Sequence, residues 1–280
     1  MLKTDYNDFY PDEFLREAKT NPIAYLPVGS LEWHSYHLPL GFDSYAVEYY
    51  FRRLSNIKKG VVFPTIYYGI AENMPHPASM VIEDNIFKKL IESVLKGIIG
   101  LGFKVIIVST GHWSMNQIIF IINICKKLMK EYYSVLIAGL PLGFVCKDDG
   151  INIDHAGKYE TSLGLALFPD KVNIKRLGSK FSGEWKFPDI EQLAEFGIEG
   201  NEDPRETANK EYGEKILNSL DSRYSELIDE MLDSKTNKLN YYYNELLKLK
   251  KSNFDFLYKG IDPTNFYREV KSLISKKKYY

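Results

Sequence analysis

Short continuous apolar runs alternate with longer amphipathic ones along the first half of the chain. Ile23–Val28 (IAYLPV) closes on Gly29 and Ser30, and Val61–Phe63 stops at Pro64. Lys104–Thr110 (KVIIVST) is continuous and β-branched, and Ser134–Pro141 (SVLIAGLP) is a fourth run of the same kind. Runs this short and this apolar predict strands buried on both faces of a parallel sheet. Between them, apolar residues recur at three- and four-residue intervals. One helix is expected through AVEYYFRRL, with Asp43 as its cap, and a second after Asp84, through NIFKKLIESVLKGIIGL to Gly102. A third spans Asn116–Tyr133. Strand and helix in alternation imply βαβ units, hence a three-layer α/β/α sandwich with a mostly parallel sheet. Ligands of such sheets bind beyond the carboxyl ends of the strands. Residues after Val28, Val108 and Pro141 are therefore expected to converge on one site.

The second half is more polar. His155–Phe168 reads as helical and Thr207–Leu232 as a charged amphipathic helix. From Ser234 the chain becomes rich in Lys, Tyr and Asn, with helical stretches at Tyr241–Leu249 and Phe266–Ile274. This divides the chain into a main domain, residues 1–233, and a basic helical C-terminal extension, residues 234–280. The extension holds ten Lys and one Arg against four acids, while the net charge of the whole chain is −1. A solvated helical extension is the expectation, not a nucleic-acid-binding arm. Cys125 and Cys146 lie in apolar surroundings and are expected as buried free thiols, and Trp185 as a core or interface residue. The first residues lack the apolar core of a secretory signal, and no apolar run approaches the roughly 20 residues of a membrane span. No membrane partner and a cytoplasmic location are the corresponding expectations.

Histidines are few and their placement is informative. Of five, His34 and His37 follow the first strand, His112 follows KVIIVST by two residues, and His155 comes after SVLIAGLP and a Gly/Asp-rich loop. Acids stand beside them. Glu32 is two residues before His34, and Asp43 nine residues after it. A carboxylate such as Asp43 has two oxygens and is able to bridge two cations. Mixed imidazole and carboxylate donors suit zinc, manganese or iron. His37 is expected to hold Asp43 or another ligand in place.

GSLEWHSYHLPLGFDS (Gly29–Ser44) resembles the creatininase-family signature GS-x-E-q-H-G-p-H-L-P-l-x-x-D. TGHWSMN resembles that family's NGHGGN segment at Gly111 and His112, and HAGKYETS (His155–Ser162) resembles its HAG-x-x-ETS motif. YYGIAENMPHPASM (Tyr67–Met80) and GIEGNEDPRETANKEYGEKI (Gly197–Ile216) follow two further family segments, so the likeness covers roughly residues 20 to 232. The resemblance implies a metal-dependent amidohydrolase with two divalent ions per chain. Glu32 and His112 would hold one ion and His34 the other, with Asp43 as bridge and His155 as the catalytic histidine. The family's further glutamate is replaced here by Ser114, and Glu160 is the expected substitute ligand, counted also among the catalytic residues. Ser35 and Tyr36 stand in place of Gly-Pro, and Trp33 in place of Gln. Trp33, Ser79 and Trp113 are the expected substrate contacts, and His76 is open between a substrate contact and a loop residue. The implied substrate is a small cyclic amide or a formamide. The same metal site would also suit a deformylase of flavin-type cofactor biosynthesis or a peptidase of a modified peptide, and a metal-binding assembly or regulatory protein without turnover is the reading from another class. Family likeness further implies a homo-oligomer, possibly a hexamer.

Overall fold

The computed structural model describes residues 3–71, 76, 78–178, 195–200, 202–251, 272 and 276. Trp185 lies outside the described residues, as does all of Phe266–Ile274 except Ser272. Four strands, β1 (Ile23–Val28), β2 (Val61–Val62), β3 (Val105–Thr110) and β4 (Leu136–Pro141), form one parallel sheet in the order β2-β1-β3-β4. The connections are α2 (Phe42–Lys58) from β1 to β2, α3 (Asp84–Gly100) from β2 to β3 and α4 (Met115–Glu131) from β3 to β4. The protein is thus α/β, as the alternation of runs implies. The chain leaves β1 for β2 on one side, then crosses to β3 on the other. The boundary between β1 and β3 is the topological switch point, where loops diverge and leave a crevice.

Both faces of the sheet are buried. Along β1, Ile23 and Tyr25 enter one apolar cluster while Ala24, Leu26 and Val28 enter the other. β3 alternates in the same way. α2, α5 (Lys158–Leu167) and a long helix, α7 (Lys210–Leu232), cover the first face. α3 buries Phe87, Ile91, Leu95 and Ile98 on the second, joined by Phe14 and Ala18 of α1 (Pro11–Thr20). Pro27 sits in the central strand without breaking it. Its carbonyl accepts from Ile66, beyond the end of β2, so its missing N–H faces the side where the partner strand has already stopped.

Several boundaries differ from the sequence reading. α2 begins at Phe42, so Asp43 lies inside the first turn and is not the cap. The helix expected over His155–Phe168 starts only at Lys158, leaving His155 on the preceding loop. The helix expected over Thr207–Leu232 begins only at Lys210: Thr207 ends a short separate helix, α6 (Pro204–Thr207), and the Asn209 side chain accepts from Tyr212 N–H and starts α7 afresh. The C-terminal extension is not merely solvated. Its helix α8 (Asn237–Lys251) buries Leu239, Tyr242, Tyr243 and Leu246 in the first cluster. The Tyr243 hydroxyl accepts from Gly139 N–H at 3.0 Å and reaches Ile137 O at 3.1 Å, pairing the free edge of β4. Both cysteines are buried and free. No helix among the described residues is long and apolar enough to cross a membrane.

Candidate metal centre

Glu32 and His34 leave the end of β1, Asp43 comes from the first turn of α2, and His112 follows β3 directly. All four reach the crevice between β1 and β3. The close approach depends on Gly111, where an added Cβ would lie 2.1 Å from the Asp43 carbonyl oxygen. Glu160 enters from the first turn of α5, and His155 from the loop before it. All of these except His155 are at least nine-tenths buried, and His155 is 17% exposed at its side chain.

The six side chains make three overlapping donor groups: Glu32, Asp43 and His112; His34, Asp43 and Glu160; and Glu32, His34 and His155. Within each, one donor atom per residue lies within 4.8 Å of the others. Asp43 spans two groups, with Oδ1 2.9 Å from His34 Nε2 and Oδ2 3.2 Å from His112 Nδ1. Glu32 Oε2 is 2.9 Å from His112 Nδ1 and 3.5 Å from His155 Nε2. Glu160 Oε2 is 3.6 Å from His34 Nε2.

Each of these histidines is oriented from behind by a main-chain carbonyl. His34 Nδ1 meets Glu32 O at 3.1 Å, His112 Nε2 meets Ile70 O at 2.9 Å, and His155 Nδ1 meets Gly197 O at 2.8 Å. A carbonyl only accepts, so each of those nitrogens carries a proton and the opposite nitrogen is the one that faces the carboxylates. This is the usual outer support of metal-bound imidazole. Ser30 supports the carboxylate side, donating to Asp43 Oδ2 at 2.5 Å, and Ala156 N–H donates to Glu160 Oε2 at 2.6 Å. Glu32 Oε1 and Oε2, His34 Nε2 and His155 Nε2 are buried and, despite the short approaches to one another, make no hydrogen bond of good geometry among the described residues. Buried polar atoms of this kind are costly unless something binds them. Oxygen and imidazole donors without thiolate fit a zinc- or manganese-type ion.

The electrostatics express the same crowding. Burial pushes the Glu32 carboxyl up, but the facing His112 and His155 outweigh it and hold the group at about 2. Burial opposes charging of His155, yet Glu32 and Glu160 raise it to about 10. Burial dominates at Glu160 and pushes it up to about 7.

The expected substrate contacts lie around this centre. Trp33, between two donors, is buried, stacks on His76 at 4.2 Å and donates its main-chain N–H to Ser79 Oγ at 3.0 Å. Trp113 is half-buried and packs against Phe144. Ser114 is buried at the start of α4 and offers no carboxylate. His37 does not reach Asp43; its Nε2 meets Thr161 Oγ1 at 2.8 Å. Sequence reasoning missed Ser30, Asp154, Ile70 and Gly197. Asp154 accepts from Tyr159 N–H at 2.8 Å and Glu160 N–H at 3.3 Å, a capping role legible from an aspartate a few residues before a helix. Ile70 and Gly197 act through main-chain oxygens and leave no side-chain signal.

Comparison with known proteins gives the family and the fold. The creatininase family profile, described as creatinine amidohydrolase, matches residues 10–228. The chain is 23% identical over 229 residues to a creatinine amidohydrolase of Pseudomonas putida, covering 72% of this chain and 86% of that protein. It is 28% identical over 163 residues to a 3-dehydro-scyllo-inosose hydrolase of Thermotoga maritima, covering 53% of this chain and 51% of that one. A crystal structure of creatinine amidohydrolase superposes with a TM-score of 0.68 at 20% identity, covering 82% of this chain and 98% of that one. Other creatininase structures with the same fold are titled as a Zn–Zn type variant and as a manganese form, with TM-scores of 0.65 and 0.66.

Proposed function

The chain belongs to the creatinine amidohydrolase family, and from that membership we propose that it hydrolyses a small non-peptide C–N amide, cyclic or a formamide, with two divalent ions held by Glu32, His34, Asp43, His112 and Glu160. The observation that carries the reading is the inward-facing donor set. Three imidazoles turn one ring nitrogen each, and three carboxylates their oxygens, toward one buried crevice. When bound, a divalent ion supplies a nucleophilic water whose pKa falls from about 15.7 toward 7 and polarises the substrate carbonyl.

The protein's own groups do the rest. Glu32 and His112 would serve one ion and His34 and Glu160 the other, with Asp43, whose two oxygens face His34 and His112, available to both. His155, the most exposed side chain of the set, faces Glu32 through Nε2 and is placed, in its protonated form, to give that proton to the leaving nitrogen once the C–N bond weakens. Gly197 O fixes the ring so that this nitrogen and not Nδ1 faces the site. Trp33 and Trp113 flank the ligand-bearing turns as walls for a flat substrate, with Ser79 holding the Trp33 segment. A specific observation favours one alternative role: His155 also falls in a donor group with Glu32 and His34, which would make it a ligand.

The test is to strip the protein with chelator, reload it with zinc, manganese or iron, and count ions while assaying a panel of lactams, formamides and modified peptides. Two ions per chain with turnover of a lactam or formamide is the expected result. Two ions without turnover of any member would favour the binding-protein reading, and no retained ion would overturn the proposal.

A further inference from the structure

Behind the side chains that face the crevice, a second set of hydrogen bonds converges on one peptide unit. Ala156 is fully buried and has φ of 52°, a left-handed conformation that residues with a Cβ avoid. Such a residue persists where its surroundings hold it on several sides. Its N–H donates to Glu160 Oε2 at 2.6 Å, and its carbonyl accepts from the Thr161 hydroxyl at 3.4 Å. Thr161 Oγ1 lies in turn 2.8 Å from His37 Nε2.

Donor counting gives this relay a direction. The Ala156 carbonyl only accepts, so the single Thr161 hydroxyl proton is committed there. Thr161 Oγ1 must then accept, and His37 donates through Nε2–H. His37 Nδ1 is left as a bare acceptor, and it is buried without a hydrogen-bond partner among the described residues. His37 sits on the loop that leaves β1 with Glu32 and His34, while Thr161 follows Glu160 on α5. The relay therefore ties the two halves of the site across 124 residues of sequence. The far side of the same turn is anchored independently, since His155 and Glu199 exchange main-chain hydrogen bonds of 2.9 Å in both directions.

We propose that His37 is a positioning residue: through Thr161 it holds the left-handed Ala156 turn that aims His155 and Glu160 together at the crevice. This rests on the roles given above to His155 and Glu160, but the relay itself does not depend on them. A histidine suits the position because its ring carries a donor on a stiff arm while remaining neutral in an apolar surrounding. Glutamine supplies a similar N–H on a more flexible arm.

The experiment uses the full chain with Thr161→Val, which keeps shape and removes the hydroxyl, Thr161→Ser, which keeps the hydroxyl, and His37→Gln. Amide hydrogen exchange is followed in the metal-free protein, and zinc stoichiometry and affinity by competition with a chelator. Turnover is measured on the amide that the wild type cleaves. In Thr161→Val, protection of the Ala156 amide should fall about 10-fold while the amides of Val105–Thr110 keep theirs. Affinity for one zinc and kcat should each fall about 10–100-fold, with KM unchanged. Thr161→Ser should restore all of these, and His37→Gln should lie between. Unchanged Ala156 protection in Thr161→Val would overturn the proposal, and so would an equal loss of protection across β3, which would mark general destabilisation. If the wild type binds no zinc and cleaves no amide, the proposed function fails, and the exchange comparison still decides the relay.

Discussion

Replacing Glu160 by Gln separates a two-ion site from a one-ion site with little change in shape. The amide keeps an oxygen for the Ala156 N–H, now accepted at 2.6 Å, so the α5 turn has no reason to rearrange. What is lost is one negative charge beside His34. At the 3.6 Å between Glu160 Oε2 and His34 Nε2, a pair of unit charges at an effective dielectric of about 20 interacts by roughly 4–5 kcal/mol. Breaking a buried charge pair by removing one member costs about 3–5 kcal/mol. Between them the two routes give a loss of about 10²–10⁴-fold in affinity for one ion. The other ion keeps Glu32, His112 and one oxygen of Asp43, three protein donors, the usual number in a catalytic zinc site. The His34 position would retain only His34 and the second Asp43 oxygen. Zinc titration against a chromophoric chelator, with elemental analysis after gel filtration, should therefore show one tight zinc and one weakened one. Two zincs held at wild-type affinity would refute the assignment of Glu160 as a ligand. Loss of both together would refute the division of the site into two halves.

Removing the proton donor, as in His155→Ala, should leave both ions bound and lower kcat by about 10²–10⁴-fold; an ion lost on elemental analysis would identify His155 as a ligand instead. His37 gives a pH signature. Burial, aided by the His34 and His155 charges and opposed by Asp203, lowers its pKa to about 3, against about 6.5 in the unfolded chain. The unfolded state then binds the extra proton between pH 6.5 and 3, so this contribution to stability is complete above pH 6.5 and is lost as pH falls toward 3. Urea midpoints for His37→Gln should fall less steeply than wild type across that window, and parallel slopes would refute the point. Ser35 has φ of 61°, is buried, and its hydroxyl lacks a partner, so Ser35→Gly should stabilise the fold by about 1 kcal/mol in urea titration. Stripping the ions should lower Tm, and readdition at about 100 times Kd should return about 2.7 kcal/mol per site; a Tm independent of metal would count against the centre.

The sheet was legible because its strands are short apolar runs with no other way to be buried, and β1 matches its expected residues, Ile23–Val28, to both ends. Helix α3 was equally plain, since Phe87, Ile91, Leu95 and Ile98 repeat at helical spacing. α1 went unread because its ten residues bury only Phe14 and Ala18, too sparse a stripe to stand out. Tyr243 was hidden for a different reason. A tyrosine in a Lys- and Asn-rich tail looks solvated until the free edge of β4 is in place to receive its hydroxyl. Within the site, Glu32, His34, Asp43 and His112 could be nominated from strand ends and residue chemistry. His155 was marked by its place after the fourth strand, but its catalytic role, and Glu160 altogether, needed the resemblance, because their convergence depends on a helix that starts at Lys158 and not at His155. The supports at Ile70 and Gly197 are main-chain atoms, which no residue pattern encodes.

A buried network of ion pairs is the other structure that could gather three histidines and three carboxylates, and the inventory of protons distinguishes the two. Glu32, Asp43 and Glu160 contribute six carboxylate oxygens, and only acceptors face inward if each histidine keeps the tautomer fixed by its carbonyl. Among the described residues, outer donors reach just two of those oxygens, Asp43 Oδ2 from Ser30 and Glu160 Oε2 from Ala156. A network without metal would have to place a second proton on the imidazoles, as the raised His34, His112 and His155 values express. That arrangement still leaves both Glu32 oxygens without good hydrogen-bond geometry, although the facing imidazoles hold Glu32 in its charged form. Protons can neutralise the cluster but cannot fill its lone pairs. A small cation of charge two can do both, because it accepts several donors at once and leaves each histidine in the neutral tautomer its carbonyl already selects.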